Sequence, residues 1–334
     1  EFFSFLSNAV NCMKSTQENS FLSKKMLSKY SPYYAASLYY AVLKDTEVRG
    51  MAAQNGAIKA LLTLSKDLVI GEHMPSSGPG CLEAPYIAAH ALSLIAISLN
   101  PLVCFNDQTI IQAIQPLVCI CDFEQNNLRR FEALLALTNI ASANDYVRSH
   151  FAQMEKSFQI IESAIFDENA LVKRAALELT TNLLMNQLFV ERYFMPTEFK
   201  SQRTICIEDR DQKAERIRLY VLLAAEYEDV QLSSAALVGL SFMSPYPIIC
   251  QYIMDIECFP AIINEVLSTN IIELIYRALF LIKNIANHGV GYAEFIKINF
   301  QPKILQLDIK SETNEELAEK TNGYRNEINI ILDS

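Results

Sequence analysis

The sequence predicts an all-α protein, a right-handed superhelix of repeated helix groups. Three observations carry this. The chain has nine glycines and few alternating runs, so strand signals are scarce. Its apolar segments recur at the 3.6-residue helical period. A short motif returns at nearly constant separation, the signature of a helical repeat.

The motif runs from a small residue to an anchor position. It reads "AHALSL" ending at Leu94, "ALLALTN" at Asn139, "ALELTTN" at Asn182, "ALVGLSF" at Phe242 and "ALFLIKN" at Asn284. Successive anchors lie 45, 43, 60 and 42 residues apart. A second apolar helix accompanies it, as "GAIKALLTLS" (Gly56–Ser65), "QAIQPLVCIC" (Gln112–Cys121) and "ECFPAIINEVL" (Glu257–Leu267). The proline in the last of these stands near a helix start, where its fixed φ and missing N–H are tolerated. Leu134, Leu137, Leu177 and Leu281 are predicted core positions of the motif helices.

Repeats of this kind extend without closing a core, so residues 1–334 read as one solenoid. Two insertions interrupt it. Residues 68–85, rich in Gly, Pro and Ser, form an irregular loop between a second and a third helix. Residues 194–215 are polar and charged, read as a mobile loop, and account for the 60-residue step. The end, 309–334, reads as an amphipathic capping helix with a solvated outer face.

Composition narrows the function. The net charge of −10 argues against nucleic-acid binding, which calls for a basic stripe. No apolar run is long enough to span a membrane. The first residues, "EFFSFLSNAVNCMK", lack the basic region of a signal peptide. They also lack an initial Met, so the chain reads as a piece of a longer protein. Eight scattered cysteines, among them Cys104, Cys119 and Cys250, read as reduced, buried thiols of a cytoplasmic protein. Cys119 and Cys121 form a C-x-C without a second pair or a nearby histidine, a poor metal site. His73 falls in the first insertion, His90 inside a third helix, and His150 and His288 near helix ends. Glu226 and Glu228 read as a solvated turn. No H-E-x-x-H, G-x-S-x-G or Walker-type loop is present. The chain therefore reads as a non-enzyme with no cofactor and no metal.

"EALLALTNIA" (Glu132–Ala141) and "RALFLIKNIA" (Arg277–Ala286) closely resemble the third helix of armadillo repeats, and "CFPAII" (Cys258–Ile263) resembles the second. In that family the third helices line a concave groove. The resemblance places Asn139, Asn182 and Asn284 in the groove, offering amides to an extended partner. The other reading is that each asparagine caps a neighbouring helix end. Import receptors of this class carry a Trp four positions before the anchor. Here those positions are His90, Leu135, Glu178, Val238 and Phe280, and the chain has no Trp.

The whole pattern is similar to the UCS-domain family of myosin chaperones. The segments that carry it are Ala88–Phe105, Ile114–Arg148, Ile161–Asn186 and Asp211–Ser244, and the similarity is strongest over 50–245. The family pattern departs at the longer insertion and at Leu94 and Phe242, which replace the anchor asparagine. The resemblance implies a binder of the myosin motor domain that assists its folding and assembly. Animal members add a tetratricopeptide module for an Hsp90-type heat-shock chaperone, and no such module is visible here. The expected groove residues are Asn139, Asn182, Asn284, Phe242, Leu94, Leu135, Glu178 and Phe280. Asn139 and Asn182 are expected to share one client segment, with Phe242 adding apolar contact. The alternative is a generic armadillo adaptor for an extended peptide.

Overall fold

The computed structural model describes residues 2–19, 31–72, 83–123, 126–195, 207–309 and 314–333. Among these, every regular element is helical. The chain forms two compact units, Glu1–Asn182 and Leu183–Ser334, where the repeat pattern predicts one solenoid.

The first unit opens with α1 (Phe2–Asn19) and α2 (Ser31–Leu43). Three repeats follow: α3 (Thr46–Gln54), α4 (Ala57–Ser65) and α5 (Glu83–Ser98); α6 (Pro101–Cys104), α7 (Asp107–Phe123) and α8 (Asn127–Ser142); α9 (Asp145–Gln153), α10 (Glu155–Ile165) and α11 (Ala170–Leu183). Second helices α1, α4, α7 and α10 pack in one row, and third helices α2, α5 and α8 in another. Asx caps punctuate the repeats. Asn126 accepts from the Leu128 and Arg129 amides to start α8, and Asn100 and Asn144 do the same for α6 and α9. Gly56, at φ 85°, makes the left-handed turn between α3 and α4 that a side chain would strain.

The second unit contains α12 (Gln187–Tyr193), α13 (Ile207–Ala224) and α14 (Val230–Met243), then α15 (Pro247–Met254), α16 (Phe259–Ser268) and α17 (Ile272–Ala286). It ends with α18 (Val290–Gln306) and α19 (Glu315–Asp333). Here α13, α16 and α18 form the second-helix row, and α14, α17 and α19 the third. Gly239 lets α14 approach α13: a Cβ there would meet Tyr220 Cε1 at 2.3 Å. Phe259 is fully buried, edge-on to Phe300 at 5.8 Å.

The predicted core holds, since Leu134, Leu137, Leu177 and Leu281 are all fully buried. Pro260 sits in the first turn of α16 as expected, whereas Pro116 falls inside α7, which begins well before it. The insertion at 68–85 does separate a second helix from a third, and its positions 73–82 lie outside the described residues. The insertion at 194–215 is shorter than expected. Residues 207–215 belong to α13, which continues upstream of its apolar core-facing turns, and 196–206 lie outside the described residues. The terminal helix does more than cap: α19 takes the third-helix place beside α17.

Candidate functional site

Most third helices bury one face against their neighbours and leave a half-exposed stripe at helical spacing, whereas α5 is buried throughout 88–96. On α8 the stripe includes Glu132, Leu135, Thr138 and Asn139; on α11, Arg174, Glu178 and Asn182. In the second unit it includes Ala235, Val238 and Phe242 on α14, and Glu273, Phe280 and Asn284 on α17. Within each unit, the expected groove residues other than Leu94 therefore lie on these stripes.

The anchor asparagines have a second occupation. Asn139 Nδ2 donates to the carbonyls of Ala96, at 2.6 Å, and Leu99, at 3.0 Å. Both lie at the end of α5, where helix geometry leaves carbonyls without partners. Asn182 Nδ2 reaches the Thr138 carbonyl near the end of α8 at 3.3 Å. Asn284 Nδ2 donates to Ser244 Oγ, at the C-cap of α14, at 3.0 Å. Each amide thus ties its third helix to the end of the preceding one. This is the helix-end reading of the motif, and it leaves Asn139 no spare donor for an incoming backbone.

Leu94 corrects the expected groove more sharply. It is only 5% exposed, an apolar side chain on a helix flanked by α2 and α8, and it offers a partner little surface. The carbonyls ending α2 are met instead by buried Arg49 on α3, whose Nε donates to the Leu43 carbonyl at 2.8 Å. Phe280 packs on Tyr324 of α19, with ring centroids 5.4 Å apart. Tyr324 also stacks on Tyr276 at 5.2 Å and lies under the Lys283 ammonium, which pairs with Glu327.

Contacts the sequence did not single out cross the third-helix row of the first unit. His90 Nε2 meets Glu132 Oε2 at 2.5 Å, and the imidazole packs on Tyr40 with centroids 4.7 Å apart. His90 and Glu132 stand 42 residues apart, one repeat, which is the signal that could have paired them. Arg130 Nη1 donates to Asp167 Oδ2 at 2.5 Å and its Nε to the Cys121 carbonyl at 3.3 Å. His73 lies outside the described residues.

The cysteines of the apolar helices behave as packing groups. Burial pushes the thiols of Cys119, Cys121 and Cys250 up to about 12, which keeps them protonated and unreactive at neutral pH. Among the described residues no three His, Cys, Asp or Glu side chains gather as metal ligands. Glu226 and Glu228 are exposed in the turn between α13 and α14. No described helix is long and apolar enough to cross a membrane.

Two rows of stacked helices, with third helices joined end to flank, define an α-solenoid of the armadillo-repeat class. No protein-family model matches the chain. Among solved structures it is similar to a designed armadillo-repeat protein in complex with the peptide (KR)4, with TM-score 0.56 and 17% identity over 80% of this chain and 99% of that one. It is more similar to UNC-45 from Drosophila melanogaster, with TM-score 0.74 and 22% identity over 91% of this chain and 34% of that one. It also resembles the myosin chaperone UNC-45 from C. elegans, crystallised with a Hsp90 peptide, with TM-score 0.70 and 23% identity over 89% and 30%. In sequence, protein unc-45 homolog B of Xenopus tropicalis is 27% identical over 237 residues, 71% of this chain and 22% of that protein. The chain is homologous to the UNC-45 proteins, the UCS family. It spans about a fifth of the length of the curated relatives it matches.

Proposed function

We propose that this chain is the client-binding module of a myosin chaperone, a non-enzymatic cytoplasmic protein that binds the myosin motor domain and assists its folding and assembly. The observation that carries the reading is homology to UNC-45 over 71% of the chain, combined with the half-exposed stripes on the third helices. Leu135, Glu178 and Phe242 supply the client contacts, apolar area punctuated by single charges. Asn139, Asn182 and Asn284 contribute mainly by fixing the spacing of the helices that carry those residues. Phe280 contributes the edge of its ring beside Tyr324. An Hsp90-type chaperone joins through a module of the full-length protein outside these residues.

The test is capture of myosin motor domain from lysate by the purified chain, with thermal aggregation of the motor as a second readout. Binding and suppressed aggregation are expected. Leu135→Asp and Phe242→Asp should each weaken capture without lowering the melting temperature, because both residues are half-exposed. Absence of both capture and protection would leave the generic adaptor reading.

A further inference from the structure

The first unit contains a concavity away from its third helices, a cavity of about 690 Å³ walled by α4, α7 and α9. That volume falls in the range of roughly 300–1,000 Å³ typical of ligand clefts. Lys59 and Lys66 line the α4 side. Seven residues apart on helical backbone, they share a face and stand about 10 Å apart along the axis. Gln108 and Gln112 line the α7 side, four residues apart and exposed on one face. His150 and Met154, at the end of α9, close the third side.

Three features give this cleft a character. None of its described lining residues carries a carboxylate, although the chain's net charge is −10. A cationic concavity in an acidic protein concentrates anions. Burial lowers the His150 imidazolium below its usual range, so the charge comes from the lysines. The rim is braced: Gln115 Nε2 donates to the Leu68 carbonyl at 2.6 Å and holds the segment after α4 against α7.

We propose that this cleft binds an extended acidic peptide segment of a partner protein. Lys59 and Lys66 pair with its carboxylates, and the Gln108 and Gln112 amides bond its backbone. The spacing favours a peptide over a small anion. Backbone positions about 10 Å apart match about three residues of extended chain, and two separate cations can each hold one carboxylate along it. A glutamine amide both donates and accepts, as a peptide backbone requires. The site is separate from the third-helix stripes, so its test does not depend on myosin binding.

The experiment is fluorescence anisotropy on the full chain with a labelled peptide alternating Glu and Ser, at low salt. A peptide alternating Gln and Ser is the neutral control, and inorganic phosphate is the competitor. The acidic peptide should bind about tenfold or more tightly than the neutral one. The double variants Lys59→Glu/Lys66→Glu and Lys59→Gln/Lys66→Gln should each lose most of that preference, and Gln108→Ala/Gln112→Ala should weaken binding a few-fold. Both lysines are exposed, so the melting temperature should hold. The proposal fails if the acidic peptide does not saturate or if both peptides bind equally. It fails too if the lysine variants bind normally, or if phosphate displaces the peptide at equal concentration, which would assign the cleft to a small anion.

Discussion

The two units solve one problem with different chemistry. A third helix ends with carbonyls that its own backbone cannot satisfy. In the first unit these are met by nitrogen donors acting directly: Arg49 at the end of α2, Asn139 at the end of α5, and Arg148 at the Ala141 carbonyl ending α8, with Asn182 bonded to Thr138 just before that end. In the second unit the end of α14 is met through an intermediary. Ser244 Oγ takes the Asn284 amide, while the Ser244 carbonyl accepts from His288 Nε2 at 2.6 Å and from the Cys250 thiol at 3.1 Å. What the repeat preserves is a donor at a helix end. The residue type varies with whatever the local packing supplies.

If these joints are secondary to packing, the largest losses should come from the core beneath them. Phe259 lies in the aromatic cluster of the second unit with Phe295 and Phe300. Phe259→Ala should destabilise by about 3–5 kcal/mol. Repeats couple to their neighbours, so hydrogen exchange should first rise in α16, α17 and α18. Uniform loss of protection along the chain would instead make the molecule one cooperative block. Gly239→Ala comes next. Its Cβ has no room beside Tyr220 and Leu184, and overpacking of this kind costs about 1–3 kcal/mol. A melting temperature unchanged by the added methyl would show that α13 and α14 slide apart freely.

The joints themselves are expected to differ. Asn139→Ala strips two backbone carbonyls at once and should cost about 1–3 kcal/mol. Asn284→Ala leaves His288 and Cys250 on Ser244, so its cost should be nearer the net value of one hydrogen bond, about 0.5–1.5 kcal/mol. Urea denaturation of the two variants decides this, and equal losses would remove the distinction between direct and mediated joints.

The sequence disclosed the helices because their burial is periodic, and it disclosed the anchors because a repeat copies them. It did not disclose what an anchor does. Asn139 looks the same on paper whether its amide faces a groove or a neighbouring helix end, since the acceptors lie 40 and 43 residues upstream. Leu94 reads as a groove residue but is buried for a related reason: the repeat register marks a position on a helix, and burial there depends on both flanking helices. The start of α13 reads as loop because its first residues, "IEDRDQKAE", are mostly polar and charged, a pattern helix and loop share. The pairing of α19 with α17 was hidden because α19 lacks the anchor motif. Its claim to the third-helix place rests on Tyr324 and Glu327, ordinary surface residues until Phe280 and Lys283 are set beside them.

The smallest expected effect separates the ion pairs of the two units by pH. Arg130 and Asp167 tie α8 to the turn before α11, with side chains 18% and 17% exposed. Burial alone would push the Asp167 carboxyl up. The Asn169 amide, at 2.8 Å, and the Arg130 guanidinium outweigh it and hold the group below its ordinary value of 3.8. A carboxylate with a depressed folded pKa stabilises the fold fully above the unfolded value, and that contribution is lost as pH falls through the folded one. The stability gap between the native chain and Asp167→Asn should therefore be constant at neutral pH and shrink only below about pH 4. The Arg277–Glu273 pair of α17 is an i,i+4 contact on one helix with the glutamate side chain 47% exposed. Such pairs are worth about 0.3–0.5 kcal/mol and are screened by salt, so Glu273→Gln should change stability less, and less still at high ionic strength. Urea midpoints measured from pH 7 to pH 3 for both variants test the contrast. A gap for Asp167→Asn that stays constant down to pH 3 would mean the Arg130 contact does not discriminate between the charged and the neutral carboxyl.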